Sequence, residues 1–170
     1  MAKPRPERLS LETYAVVLET APRFGDLDPL HHLNNSALTR IYEDGRVRFL
    51  DSSGVRAGWE RGCRFVVAEV AIQYLQEGHY PDALTLGTGV SRIGASSFTL
   101  SQGLFQNGQC IGVGDTALVY VEAATGKSRP LPQACRESML ASALRTGLVE
   151  PAAAHSNSQP LSKKADVENA

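Results

Sequence analysis

The chain has 170 residues, 42% hydrophobic and 21% charged, which suits one globular domain with a sizeable core rather than disorder. Lys plus Arg is 17 and Asp plus Glu is 18, a net charge of -1, which gives no reason to expect nucleic acid or an anionic membrane as partner. Three cysteines, Cys63, Cys110 and Cys135, form no C-x-x-C pair, and the odd count argues against a disulfide framework, so a reduced cytoplasmic setting is expected.

The start of the chain is charged, with no signal-peptide apolar core behind it, and no apolar run approaches the roughly 20 residues that cross a bilayer. Residues 1–9 read as an N-terminal extension. Residues 12–20 alternate as a strand, with Tyr14, Val16 and Leu18 on one face. Pro22 and Gly25 then break it.

The next segment, Arg23 to Asn35, holds two Asp, two His and two Asn in one turn. Asp28 stands a few residues before a helix start. A carboxylate there can face a carbonyl whose oxygen is held by the free N–H groups of the first helical turn. It can attack an activated acyl group or deprotonate a water. An Asp-x-Asp-Pro run is equally an ordinary Asx-turn, and local sequence alone favours that reading. Asp26 reads as a turn acceptor for backbone N–H groups. His32 could orient the carboxylate, contact the acyl group or carry a proton. Neighbouring His31 and His32 rarely converge on one ion, and no Cys, Asp or Glu partner has familiar ligand spacing, so no metal is expected.

Asn34 or Asn35 can cap the helix that follows, expected over 35–50. Leu38, Ile41, Tyr42, Gly45 and Phe49 form one apolar stripe, with Arg40, Asp44 and Arg48 opposite at pairing distance. Gly45 on the buried stripe would let a strand backbone approach closely. Glu43 is a second candidate base. Its bland alternative is an ion pair with Arg40 or Arg46.

Four strand-like segments follow. In 65–75, Val66, Val70, Ile72 and Tyr74 share a face. In 83–93, Leu84, Leu86 and Val90 do. In 96–106, Phe98, Leu100 and Leu104 do. In 110–121, Ile111, Val113, Ala117, Val119 and Val121 do. Asn107-Gly108 predicts a type I′ hairpin, and Gly112 and Gly114 a bulge or tight contact. Residues 133–146 predict a short helix with Met139, Leu140 and Leu144 inward. From Gly147 to residue 170 the chain lacks apolar content and reads as a disordered tail.

The whole 23–50 segment resembles the signature of the hotdog-fold acyl-CoA thioesterases of the 4-hydroxybenzoyl-CoA thioesterase type. That signature runs Arg-aromatic-x-Asp-x-Asp-x-x-Gly-His-Val-Asn-Asn, then a helix with an aromatic-Glu pair. Arg23, Phe24, Asp26, Asp28, His32, Asn34, Asn35, Tyr42 and Glu43 fit it, and His31 stands where the family usually has Gly. A left-handed backbone at that position would strain a His.

The resemblance implies an α+β hotdog fold over 10–146, a curved antiparallel five-stranded sheet wrapped around a long central helix. It implies hydrolysis of an acyl-CoA to free acid and coenzyme A, with Asp28, His32, Asn35 and Glu43 as catalytic candidates. Asn35 would offer an oxyanion N–H. Arg92, Ser96 and Ser97 would border the coenzyme A groove, with a solvated turn as their plain alternative. No separate cofactor is implied, and the minimum unit is a homodimer, with tetramers common. A hydratase or dehydratase on the same fold would need a differently placed Asp/His or Glu/His pair, which the sequence does not show. A non-catalytic acyl-CoA-binding module is the remaining alternative. Gly-x-Ser-x-Gly is absent, against an α/β-hydrolase.

Overall fold

The computed structural model describes residues 3–148. The strands are β1 (Val16–Thr20), β2 (Cys63–Tyr74), β3 (Leu84–Ile93), β4 (Ser97–Gln106) and β5 (Gln109–Glu122). The helices are α1 (Asn35–Ser52) and α2 (Gln133–Ala141), with short 3-10 turns elsewhere. The strands form one antiparallel sheet in the order β1-β3-β4-β5-β2. α1 lies against β3 and β4 in the middle of it. This is the α+β hotdog arrangement that the resemblance implies.

α1 starts where its cap allows. Asn34 is the cap: its side chain accepts from the Ser36 N–H at 2.8 Å. The buried stripe is Leu38, Tyr42, Gly45 and Phe49, widened by Ala37, Arg46 and Leu50. Phe49 and Leu50 pack on Phe98, Leu100, Leu118 and Tyr120. Leu38 and Tyr42 pack on Leu84, Leu86, Leu104 and Ile111. Each such side chain contributes about 1.5–3 kcal/mol when fully buried. Gly45 faces a side chain rather than a strand backbone. A Cβ there would collide with Leu86 and come within 3.1 Å of Gln102 Nε2. Of the charged stripe, Asp44 and Arg48 pair at 2.9 Å, whereas the Arg40 side chain reaches off the helix to Asp26 at 2.9 Å.

Three strand faces differ from the alternation reading. Tyr14 packs with Phe105 and Val113, whereas Val16 packs on the opposite face against the core under α1. β2 shifts register between Val67 and Glu69, so Val66 pairs with Val119 while Val70 pairs with Thr116. Val66 therefore lies on the opposite face from Val70, Ile72 and Tyr74. In β5 the even positions Leu118 and Tyr120 line the core under α1, and Val113 faces the other way. Ile111, beside a second register shift, joins the core beneath α1.

The reason is that both faces of β5 are covered, so both are apolar and period-2 patterning loses its meaning. One helix covers one face only. The other is covered by the N-terminal segment. Tyr14, fully buried, packs on Phe105, Cys110 and Val113. Arg8 bonds Asp115 at 2.8 Å and the Gly114 carbonyl at 3.0 Å. Thus residues 11–13 form a 3-10 turn and β1 begins only at Val16. Burial pushes the Tyr14 hydroxyl up to about 12.

The β4–β5 turn is the expected hairpin, with positive φ at both Asn107 and Gly108. Gly112 and Gly114 accommodate the Tyr42 ring. In α2, Met139 is buried but Leu140 points out at 57% exposure. Leu144 is buried beyond the helix end, where its N–H bonds the Val90 carbonyl at 2.9 Å. The expected tail lies outside the described residues apart from Gly147 and Leu148.

Candidate active site

The turn before α1 is closed by its own polar groups. Asp28 N–H donates to the His32 carbonyl at 2.9 Å. Asp28 Oδ1 accepts from Leu30 N–H at 2.8 Å and from His32 N–H at 3.2 Å. The Asx-turn reading is thus correct for one oxygen. Oδ2 accepts no hydrogen bond among the described residues. The turn reading and a chemical role are compatible, because they use different oxygens.

Asp26 supports this turn from below. Its Oδ2 accepts from Arg23 N–H at 2.8 Å, its Oδ1 from Arg40 at 2.9 Å, and its carbonyl from Asn34 N–H at 2.8 Å. His31 has φ 64°, in the left-handed region where a β-carbon is strained.

Asp28, His32 and Asn35 line one cleft of about 300 Å³ with Leu33, Leu38 and residues 74–78. The Ser36 N–H is taken by the Asn34 cap, but the Asn35 N–H makes no bond among the described residues. It stands at the positive end of the α1 dipole. Half-buried Asp28, the His32 imidazole and the first residue of α1 therefore line one open cleft. That set can attack or hydrate a carbonyl and hold the oxyanion that forms.

Two neighbours of His32 carried no sequence signal. Glu77, between β2 and β3, places its carboxylate 3.1 Å from His32 Nε2. The His79 ring meets the His32 ring edge-on, with centroids 5.3 Å apart. A Glu/His pair thus exists that the sequence did not show. Only a strand pairing brings these loops together, so no spacing rule could have found it.

Glu43 is not in this cleft. It is exposed and pairs with Arg46 at 3.6 Å, its bland alternative. Arg46 is itself buried, which lowers its pKa, partly opposed by Glu43. Tyr42, the aromatic of the aromatic-Glu pair, is core: burial pushes its hydroxyl far up.

Arg92, Ser96 and Ser97 lie at the β3–β4 turn. Ser97 pairs with Val119, whereas Tyr74 at the cleft pairs with Gly112, so they sit roughly 20 Å away along the strands. Within one chain they do not join the cleft. Among the described residues no group of three His, Cys, Asp or Glu side chains converges as a metal site, and no helix is long and apolar enough to cross a membrane.

A family model, described as the thioesterase-like superfamily, matches residues 22–142. No curated protein matches the chain. Among solved structures, a thioesterase from Thermus thermophilus, complexed with coenzyme A and Zn, is 30% identical. That match covers 76% of this chain and 95% of the other, with a TM-score of 0.66. A thioesterase-superfamily protein from a Jannaschia species is 28% identical over 73% of this chain and 80% of its own, with a TM-score of 0.66. A Pseudomonas aeruginosa protein, 23% identical, shares the fold with a TM-score of 0.70, over 79% of this chain and 95% of its own.

Proposed function

The chain belongs to the thioesterase-like superfamily, and from that premise we propose that it hydrolyses an acyl-CoA to free acid and coenzyme A in the Asp28 cleft. The observation that carries this is the divided use of one carboxylate. Asp28 Oδ1 is spent on the Leu30 and His32 N–H groups. Oδ2 remains for the acyl carbon or for a water beside it. The thioester oxygen then gains negative charge, which the Asn35 N–H and the α1 dipole stabilise. The C–S bond breaks and coenzyme A leaves. The Thermus relative's complex with coenzyme A supports this substrate class.

The working unit is a homodimer. Among the described strands β2 is at the end of the sheet order, beside β5. On its α1 side Val67, Val70 and Tyr74 are 46%, 45% and 42% exposed. A long apolar edge of this kind is normally paired. Antiparallel pairing of two β2 strands about a twofold axis would bring the Arg92–Ser97 end of one chain level with the Asp28 end of its partner. Arg92, Ser96 and Ser97 would then contact coenzyme A in the partner's site.

Thiol release from a panel of acyl-CoA substrates, with and without Asp28→Asn, tests the reading. The His32–Glu77 contact favours one second reading, hydration of a 2-enoyl-CoA, since a Glu/His pair is what a hotdog hydratase needs. Including a 2-enoyl-CoA separates them: a hydratase consumes the double bond and releases no thiol. Binding of acyl-CoA with neither reaction would favour the non-catalytic module.

A further inference from the structure

His32 and Glu77 belong to different loops. His32 stands on the turn before α1, and Glu77 on the connection from β2 to β3. Glu77 is 66% exposed, and an exposed ion pair alone is worth little. What sets this pair apart is the backbone beneath it. Gln76 N–H donates to the Ile111 carbonyl at 3.2 Å, and Leu33 N–H donates to the Gly78 carbonyl at 2.8 Å. A Cβ on Gly78 would come within 2.9 Å of Leu33. Buried Gln106 donates to the carbonyls of His79 and Asp82 at 2.7 and 2.9 Å and accepts from His79 N–H at 2.8 Å. The chain is pinned on both sides of Glu77, and the His79 ring closes on His32 edge-on.

A neutral imidazole has one N–H and one lone pair, and an ionised carboxylate only accepts. At Nε2 the Glu77 carboxylate selects the Nε2–H tautomer, which leaves the lone pair on Nδ1.

We infer that Glu77 is a positioning residue that fixes His32 as the base of a water step, leaving Asp28 to attack the thioester. This rests on the thioesterase reading above. Asp28 Oδ2 bonds to the acyl carbon and coenzyme A leaves with the C–S electron pair. A water oxygen then bonds to the acyl carbon of the Asp28 anhydride, and its proton passes to His32 Nδ1. The bond from the acyl carbon to Asp28 breaks and returns its electron pair to the carboxylate. Glu77 meets the imidazolium at Nε2 without taking its proton. The imidazolium then gives its proton to the thiolate or to solvent.

Pre-steady-state thiol release tests this on the full chain. Glu77→Ala should lower kcat about 10-fold and His32→Ala about 100-fold, the lower range for a lost base. Both should show a burst of one thiol per site, with an acyl adduct on Asp28 by mass spectrometry. Asp28→Asn should show no burst. Glu77→Gln, which keeps an acceptor oxygen, should fall between Glu77→Ala and the native protein. An unchanged melting temperature for Glu77→Ala separates positioning from folding. An active native protein whose Glu77→Ala variant keeps kcat within twofold, or slows without a burst, overturns the role of Glu77 alone. A native protein that cleaves no acyl-CoA overturns the thioesterase reading and this inference together.

Discussion

Asp28 and His32 are tied to each other by two hydrogen bonds: Asp28 N–H donates to the His32 carbonyl at 2.9 Å, and His32 N–H donates to the Asp28 side chain, at Oδ1, at 3.2 Å. The two groups with the best claim to chemistry are thus held in one closed turn. Neither can move far without the other.

That turn makes the Asp28 test clean. In Asp28→Asn the amide oxygen still accepts from Leu30 and His32, so the turn survives while the negative charge goes. Thiol release should fall at least ~100-fold, with little change in melting temperature. Glu43→Gln should cost far less, because Glu43 lies outside the cleft and pairs with Arg46. Retained activity in the first variant and a dead second one would move the base to the helix.

His31→Gly should stabilise the protein. Its φ of 64° carries a steric cost of about 1–2 kcal/mol for a residue with a β-carbon. The greater freedom of Gly in the unfolded chain offsets part of this. A gain of about 0.5–1 kcal/mol in denaturant unfolding is expected from that difference. A loss would show that the His31 side chain stabilises the turn more than its backbone strains it.

Gly45→Ala sets two effects against each other. Helix propensity favours Ala by about 1 kcal/mol. The new Cβ, however, collides with buried Leu86 and crowds Gln102, and overpacking of this kind costs about 1–3 kcal/mol. Gln102 also donates to the Tyr42 carbonyl at 3.1 Å, so little can give. Net destabilisation of up to about 2 kcal/mol is expected by chemical unfolding. A more stable variant would mean that Leu86 shifts freely.

The β2 edge predicts the assembly. Sedimentation at micromolar concentration should show a dimer or a dimer of dimers. Val70→Lys places a charge on the half-exposed apolar face of β2 and should shift the protein toward monomer, with activity falling in step if Arg92 serves the partner's site. A native monomer with full turnover would sink the shared-site model.

What the sequence determined by itself was local. The Asn34 cap, the α1 stripe, the Asn107-Gly108 hairpin and the Asp28 turn depend on residues within a few positions of one another, where propensity and spacing act directly. The resemblance over 23–50 supplied the family, and the fold followed from it. Strand faces were less legible. Register shifts at Val67–Glu69 and near Ile111 exchange the two sides of a strand. A sheet covered by α1 on one face and Tyr14 on the other leaves apolar residues at both parities.

The site showed the same division. Asp28, His32 and Asn35 stand within one turn and were readable. Glu77 had no motif, because it reaches His32 only after β2 pairs with β5 and Gln106 anchors the loop that follows. The distance between Arg92 and the cleft was likewise decided by strand register. Such contacts depend on how whole strands pair across the sheet, and no short window of sequence encodes that pairing.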